Sequence, residues 1–191
     1  MAEQPTTLHL TDPGAMRALA HPTRLRLLGE LRRRGPQTVG MLSDVLDEAV
    51  GSVSYHLRRL AEHGFVTEAP ERARDRRERW WRAAHERTSW NLVEALEDPE
   101  RQAASTLLRR AVLERYVERL RAYLDAEATL EPRWVRGTAS SDSWLHLTSD
   151  ELVELRADLE ALAERWRARS DPDRPDAGTV TLMYHAFRDP R

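Results

Sequence analysis

At 191 residues the chain has room for one large or two small domains, with a core that needs no covalent staples. Hydrophobic residues make up 40% and charged residues 32%, and no run approaches the roughly 18 apolar residues of a membrane span. The absence of cysteine excludes a disulfide framework and a thiolate metal site. The opening MAEQPTTLHL has neither the basic start nor the apolar run of a secretory signal, so cytoplasmic residence is expected. Charge is uneven along the chain. Residues 1–90 hold 15 Arg against 12 acids, and residues 91–191 hold 15 Arg against 20 acids. A basic front and an acidic rear suggest that only the front meets a polyanion.

Residues 1–11 are polar and read as a flexible arm. Asp12 is a plausible N-cap for a helix over Pro13–Ala20, with Pro13 at its first position. His21-Pro22 breaks that helix, because a residue before proline avoids helical dihedrals. Pro22 opens the next one, with Leu25, Leu28 and Leu31 at steps of three. Arg32, Arg33 and Arg34 fall in its last turn, where cations suit the helix dipole, and Gly35-Pro36 ends it. A third helix, Thr38–Leu46, turns Val39, Leu42, Val45 and Leu46 inward, and residues 47–49 form a turn.

The stretch from Val50 to Gly64 follows. Val53, Leu57 and Leu60 share one stripe of a helix, and Gly64 suits a left-handed C-cap. At roughly 100° per residue the other side presents Gly51, Ser52, Tyr55, Arg58 and Arg59. Such a helix holds to the protein by one side and offers hydroxyl and guanidinium groups on the other, as insertion into a major groove requires. An ordinary solvated face has the same composition, so the neighbouring elements decide between the two.

Phe65–Glu68 and Glu78–Ala83 read as paired strands. The tip between them carries Arg72, Arg74, Arg76 and Arg77 and has the character of a wing lying on a phosphate backbone. Trp80 and Trp81 should point to opposite faces. Three helices, a recognition helix and a wing make a winged helix-turn-helix domain over residues 12–84. Its segments ALAHPTRLRLLGEL (18–31) and SVSYHLRRLAEHGFV (52–66) resemble the ArsR family of prokaryotic repressors in order and spacing. That resemblance covers residues 14–84 and implies a homodimer on an imperfect palindromic operator, controlled by an effector. Two departures stand out. Metal-sensing members carry a cysteine motif where this chain has TVGMLSDVL, and Ala49 stands where many relatives have a serine cap.

Beyond the wing, Ala84–Glu97 is predicted as a helix, and Asp98-Pro99 separates it from a longer one, Glu100 to Leu124 or beyond. Leu113, Val117, Leu120 and Leu124 repeat at four, three, four, which is coiled-coil spacing. Residues 85–130 are therefore expected to dimerise. Residues 131–191 are expected to form a small strand–helix–strand unit, of a kind many actinobacterial relatives carry. Its strands would be Trp144–Leu147 and Thr179–Arg188, around a helix opened by the capping box Thr148–Glu151. Leu152, Leu155, Leu159, Leu162 and Trp166 give that helix its apolar side. The whole is mainly α with a small α+β part.

Trp134, Trp144, Trp166 and Tyr184 either line a pocket for a small organic effector or fill a core. His146 and His185, on the two predicted strands, lack a neighbouring acid motif, so no metal site is assigned. No phosphate loop, nucleophile elbow or HExxH occurs, so no enzyme activity and no cofactor are expected. The expected function is a homodimeric, sequence-specific regulator of double-stranded DNA, more in the manner of a repressor. Ser52, Tyr55 and Arg59 would reach base edges while Gly51 permits approach. Ser54, His56 and Arg58 would hold phosphates together with the wing arginines. A winged interaction scaffold without an operator is the rival reading.

Overall fold

The computed structural model describes residues 6–73 and 78–190. The chain divides at Asp125/Ala126 into two units. It is mostly helical with two small sheets, a helix-turn-helix domain at the front and helices behind.

The first unit opens with β1 (Thr7–His9), then α1 (Pro13–Leu19) and α2 (Pro22–Arg34). Asp12 caps α1 as expected, accepting from the Gly14 and Ala15 amides at 3.1 and 2.8 Å. His21 caps α2 through Nδ1, which accepts from the Thr23 amide at 3.2 Å. Strand β2 (Gln37–Thr38) leads into α3 (Val39–Leu46), whose N-cap is Thr38. Asp47 closes α3 in the left-handed conformation at φ 53°. Helix α4 (Val50–Glu62) is followed by Gly64 at φ 71°, the reversal expected of a glycine there. Strands β3 (Val66–Glu68) and β4 (Trp80–Ala83) pair antiparallel, and β2 joins β4 on its other edge. The wing is thus the larger part of a three-stranded sheet.

One cluster of side chains holds this unit. Leu27, Leu42, Val53, Leu57 and Leu60 are fully inaccessible, joined by Met16, Phe65 and Trp81. Trp81 is the inward member of the tryptophan pair, and Trp80 is half-buried. Ala104 and Leu108 of the long helix α6 (Pro99–Ala126) complete the core.

Two expectations for this unit fail. Residues 7–10 are no free arm: β1 pairs in parallel with β5 (Arg87–Ser89), and Leu10 joins the core. Nor is Ala84–Glu97 one helix. It holds β5 and only a short helix, α5 (Leu92–Leu96), started by Asn91 accepting from the Val93 amide at 3.0 Å. Both errors share a cause. A parallel pair of strands some 80 residues apart in sequence leaves no local signature, because each is the other's partner.

In the second unit a short helix, α7 (Pro132–Arg136), precedes α8 (Ser149–Ala168), which begins with the full capping box. The Thr148 hydroxyl accepts from the Glu151 amide at 3.2 Å, and the Glu151 carboxylate accepts from the Thr148 amide at 2.7 Å. The Glu151 carboxyl is held below the usual range by these bonds, the backbone one foremost. The expected strands are absent: Trp144–Leu147 and Thr179–Arg188 make no sheet among the described residues. Alternation gives a segment a strand's two faces, but a strand exists only with a ladder partner. The second unit is therefore helical rather than α+β.

Leu57, at the centre of α4, is the position most exposed to a cavity penalty. Leu57→Ala is expected to lower unfolding free energy by about 2–5 kcal/mol in urea denaturation. Leu145→Ala, on the exposed second unit, should change it by less than about 0.5 kcal/mol.

Candidate nucleic-acid interface

The candidate surface is built on the turn between α3 and α4. Ser43 Oγ donates to the Glu48 carbonyl at 2.6 Å, and the Asp47 amide bonds back to the Ser43 carbonyl. The Glu48 carboxylate is the centre of the turn. It accepts from Thr23 Oγ1 at 3.2 Å and from Ser52 Oγ at 3.3 Å, with Arg26 at 3.8 Å. One acid thereby ties α2, the turn and the first turn of α4 together. Its place, just before a helix, is also where a carboxylate suits the dipole. From the sequence, residues 47–49 read only as a turn; an acid two residues before a helix with no capping side chain is the signal that points to Glu48.

Helix α4 buries Val53, His56, Leu57 and Leu60. Gly51, Tyr55 and Arg58 stand on its exposed side, with Ser54 and Arg59 half-exposed beside them. A Cβ added to Gly51 would meet nothing within 4 Å, so nothing inside the folded chain demands glycine there. Tyr55 is 55% exposed, a large ring held outward. Ala49 is the N-cap and makes no side-chain cap bond.

Not every expected contact residue faces outward. Ser52 gives its hydroxyl to Glu48 rather than to the open face. Arg59 pairs with Glu62 on the same helix. His56 is a plain correction. It is only 8% exposed, packed on the His21 ring at 4.5 Å with Arg24 Nη1 at 3.5 Å from its Nδ1. It cannot hold a phosphate from there. Its position on the helix falls between the apolar stripe and the polar side, so the residue type alone suggested exposure.

In the wing, Arg72 is exposed in a single 3-10 turn, Pro70–Arg72. Arg74, Arg76 and Arg77 lie outside the described residues. Arg82 pairs with Glu71 at 2.9 Å, and Arg79 lies 3.8 Å from Glu68. Exposed pairs of this kind contribute about 0–1 kcal/mol, so either arginine can exchange its partner for a phosphate.

The arginines ending α2 serve the fold. Arg32 donates to the His85 carbonyl at 3.0 Å and to Thr88 Oγ1 at 2.7 Å, and burial lowers its pKa to about 10. Arg33 and Arg34 both bind Glu30, at 2.8 and 3.1 Å.

On α6, Leu113, Val117, Leu120 and Leu124 are 39 to 57% exposed. At roughly 100° per residue they lie within a narrow arc on the side of the helix away from Ala104 and Leu108. The aromatic pocket, by contrast, does not form. Trp134, Trp144, Trp166 and Tyr184 are all exposed, Trp144 at 81%, and so neither enclose a cavity nor fill a core. Trp134 lies against Gly178 and Trp166 under the Arg169 guanidinium at 4.7 Å, two separate contacts. A surface depression in this unit is lined instead by Leu130, Pro132, Val135 and Arg136. His146 and His185 lie outside the helices and strands, and no cluster of three metal-binding side chains occurs among the described residues. No helix among those residues is long and apolar enough to cross a membrane.

Residues 19–69 match the family described as a helix-turn-helix domain. No curated protein matches the chain. Among solved structures it is similar to a variant of ZitR from Lactococcus lactis in apo form, at 16% identity and a TM-score of 0.34. That likeness covers 77% of this chain and 83% of the other. It is also similar to the transcriptional regulator Tm0710 from Thermotoga maritima (16% identity, TM-score 0.32, covering 81% and 87%). A third is AbfR in a disulfide-formed state (16%, 0.33, covering 61% and 76%). These overall likenesses are loose, and the helix-turn-helix assignment stands on the family match and on the geometry above.

The bare N-cap of α4 gives a direct test of how firmly this surface is held. Ala49 already has the extended dihedrals of a cap, at φ −61° and ψ 137°. Ala49→Ser is expected to stabilise the protein by about 0.5–2 kcal/mol, read as a rise in the thermal midpoint. An unchanged midpoint would show that the free amides are already satisfied.

Proposed function

We propose that the chain is a sequence-specific DNA-binding transcriptional regulator of the ArsR type, a homodimer that represses from the cytoplasm by occupying a palindromic operator. The observation that carries this reading is the outward side of α4, where Gly51, Tyr55 and Arg58 stand exposed on a helix fixed from behind. A rigid helix of this kind can enter a major groove without first paying to be ordered, and its open side carries donor and acceptor groups for base edges. Tyr55 and Arg58 are assigned to the groove, with Ser54 and Arg72 on the backbone phosphates. Arg59 joins them by exchanging Glu62 for a phosphate or base. Repression is the mode that the ArsR-like segments imply.

The outward apolar stripe on α6 supports the dimer. Four large apolar residues at coiled-coil spacing, turned away from the rest of the unit, are what a second copy of the same helix would bury. Leu120→Glu is expected to convert the dimer to a monomer in analytical ultracentrifugation. It should weaken operator binding by a factor of about 100 or more, since two half-sites would no longer be held together. A variant that stays dimeric would place the interface elsewhere.

Gly51 separates the demands of folding from those of recognition. With open space around it, Gly51→Ala should raise stability by about 0.5–1 kcal/mol, because alanine is the better helix former. The same substitution should weaken operator binding by roughly tenfold or more, as a methyl intrudes where the helix meets the groove floor. Equal or tighter binding would remove α4 from the contact. Electrophoretic shift against genomic fragments over a range of salt tests the reading as a whole. Retention of a few fragments, weakening steeply with salt, is expected. A protein that retains none is an interaction scaffold instead.

A further inference from the structure

Behind the recognition helix two histidine rings face one another, and neither is used in the surface just described. His21 and His56 have ring centroids 4.5 Å apart at an interplanar angle of 38°. Each ring has a donor at Nδ1. The Thr23 amide donates to His21 at 3.2 Å, which is the N-cap bond of α2. Arg24 Nη1 stands 3.5 Å from the Nδ1 of His56, and a guanidinium can only donate. These donors favour the neutral form of both rings, with the proton on Nε2.

We propose that this stacked pair is an acid-operated release for α4, in which proton uptake breaks the contacts holding the recognition helix on α2 and so weakens DNA binding. A proton on His21 Nδ1 would face the Thr23 N–H and abolish the cap. A proton on His56 Nδ1 would face the Arg24 guanidinium. Arg24 is held toward the pair by its Nε, which donates to the Ala18 carbonyl near the end of α1. Two imidazolium rings and Arg24 would then crowd together, with Arg59 of α4 nearby and the Tyr55 ring edge-on to His56 at 5.1 Å. The opposing charge is Glu48, already engaged by Thr23, Ser52 and Arg26.

Burial, first of all, and then the neighbouring cations hold both imidazoles below their ordinary value of 6.5. An unfolded chain therefore binds more protons than the folded one once the pH falls below about 6.5. The pair's contribution is present in full above that value and is lost as the pH falls toward the depressed folded values. The sign is distinctive. Protonation elsewhere adds positive charge and tightens binding to a polyanion, whereas release of this pair makes acid loosen it.

The effect on DNA rests on the function proposed above; the effect on the helix does not. The test therefore has two arms on the full-length protein, at constant ionic strength between about pH 7.5 and pH 5.5. One follows thermal unfolding. The other follows fluorescence anisotropy with a labelled mixed-sequence duplex of about three helical turns. The comparison is the double variant His21→Asn, His56→Gln, which keeps an acceptor for Thr23 and for Arg24 but takes up no proton. Acid is expected to lower the melting midpoint of the wild type more than that of the variant. It should also weaken wild-type binding by about tenfold while tightening the variant's. Parallel melting curves, or wild-type binding that tightens on acidification, would overturn the proposal. Absence of binding at every pH would show only that this duplex carries no site, and the melting arm would then decide the pair. Should the variant not fold, imidazole proton NMR of the wild type decides. Titration of both rings below 6.5 supports the pair, and titration of either at or above it refutes it.

Discussion

Everything at the front of this protein depends on how α4 is gripped. Val53, Leu57 and Leu60 have no accessible surface, and they lock the helix against α2 and α3. That apolar contact is non-directional: it fixes which side of α4 faces inward but leaves the helix free to slide or roll slightly. The polar contacts remove the remaining freedom. Glu48 pins the first turn through Ser52 and Thr23, and the His21–His56 contact braces the middle. A helix that is to read a sequence, as proposed for α4, needs both. Burial holds it in place, and directed bonds keep its outward groups in register with a partner of fixed dimensions.

How much of this was legible in the sequence depended on distance along the chain. Helix caps are local, and Asp12, Thr38 and Thr148 were readable or nearly so, because capping residue and capped amide lie within three positions. The apolar stripe of α4 was legible for the same reason, and that of α2 in part: Leu28 and Leu31 are buried as expected, while Leu25 is half-buried and Leu27, outside the expected three, is fully buried. The wing strands were readable because a hairpin pairs neighbours. What was missed pairs distant segments. Strands β1 and β5 meet only in the folded protein, so Leu8 and Leu10 looked like stray residues in a polar arm. The opposite error occurred at Thr179–Arg188, where good alternation has no strand to meet.

The candidate surface shows the same divide. The exposed set Gly51, Tyr55 and Arg58 follows from helical period alone. Whether a polar residue on the border turns out or in does not. Ser52 turns toward Glu48 and His56 toward His21, and each choice is made by a residue on another element. Arg32 differs in the same manner: its place suggests a helix-end cation, yet it is a half-buried tie from α2 to the chain beyond the wing. The exposed aromatic rings of the second unit show that composition gives the material for a pocket but not its closure.

The parallel pairing of β1 with β5 has one further consequence. The passage from the wing to α6 is not a loose hinge. Arg32 braces it from α2, and β1 holds it through the parallel ladder with β5. In a dimer joined through α6, the two reading heads would be carried on stiff arms. Each base pair inserted between half-sites turns the second one by roughly 34° around the duplex axis, a rotation that stiff arms cannot follow. Such a molecule discriminates by the phase of two short words as much as by their spelling.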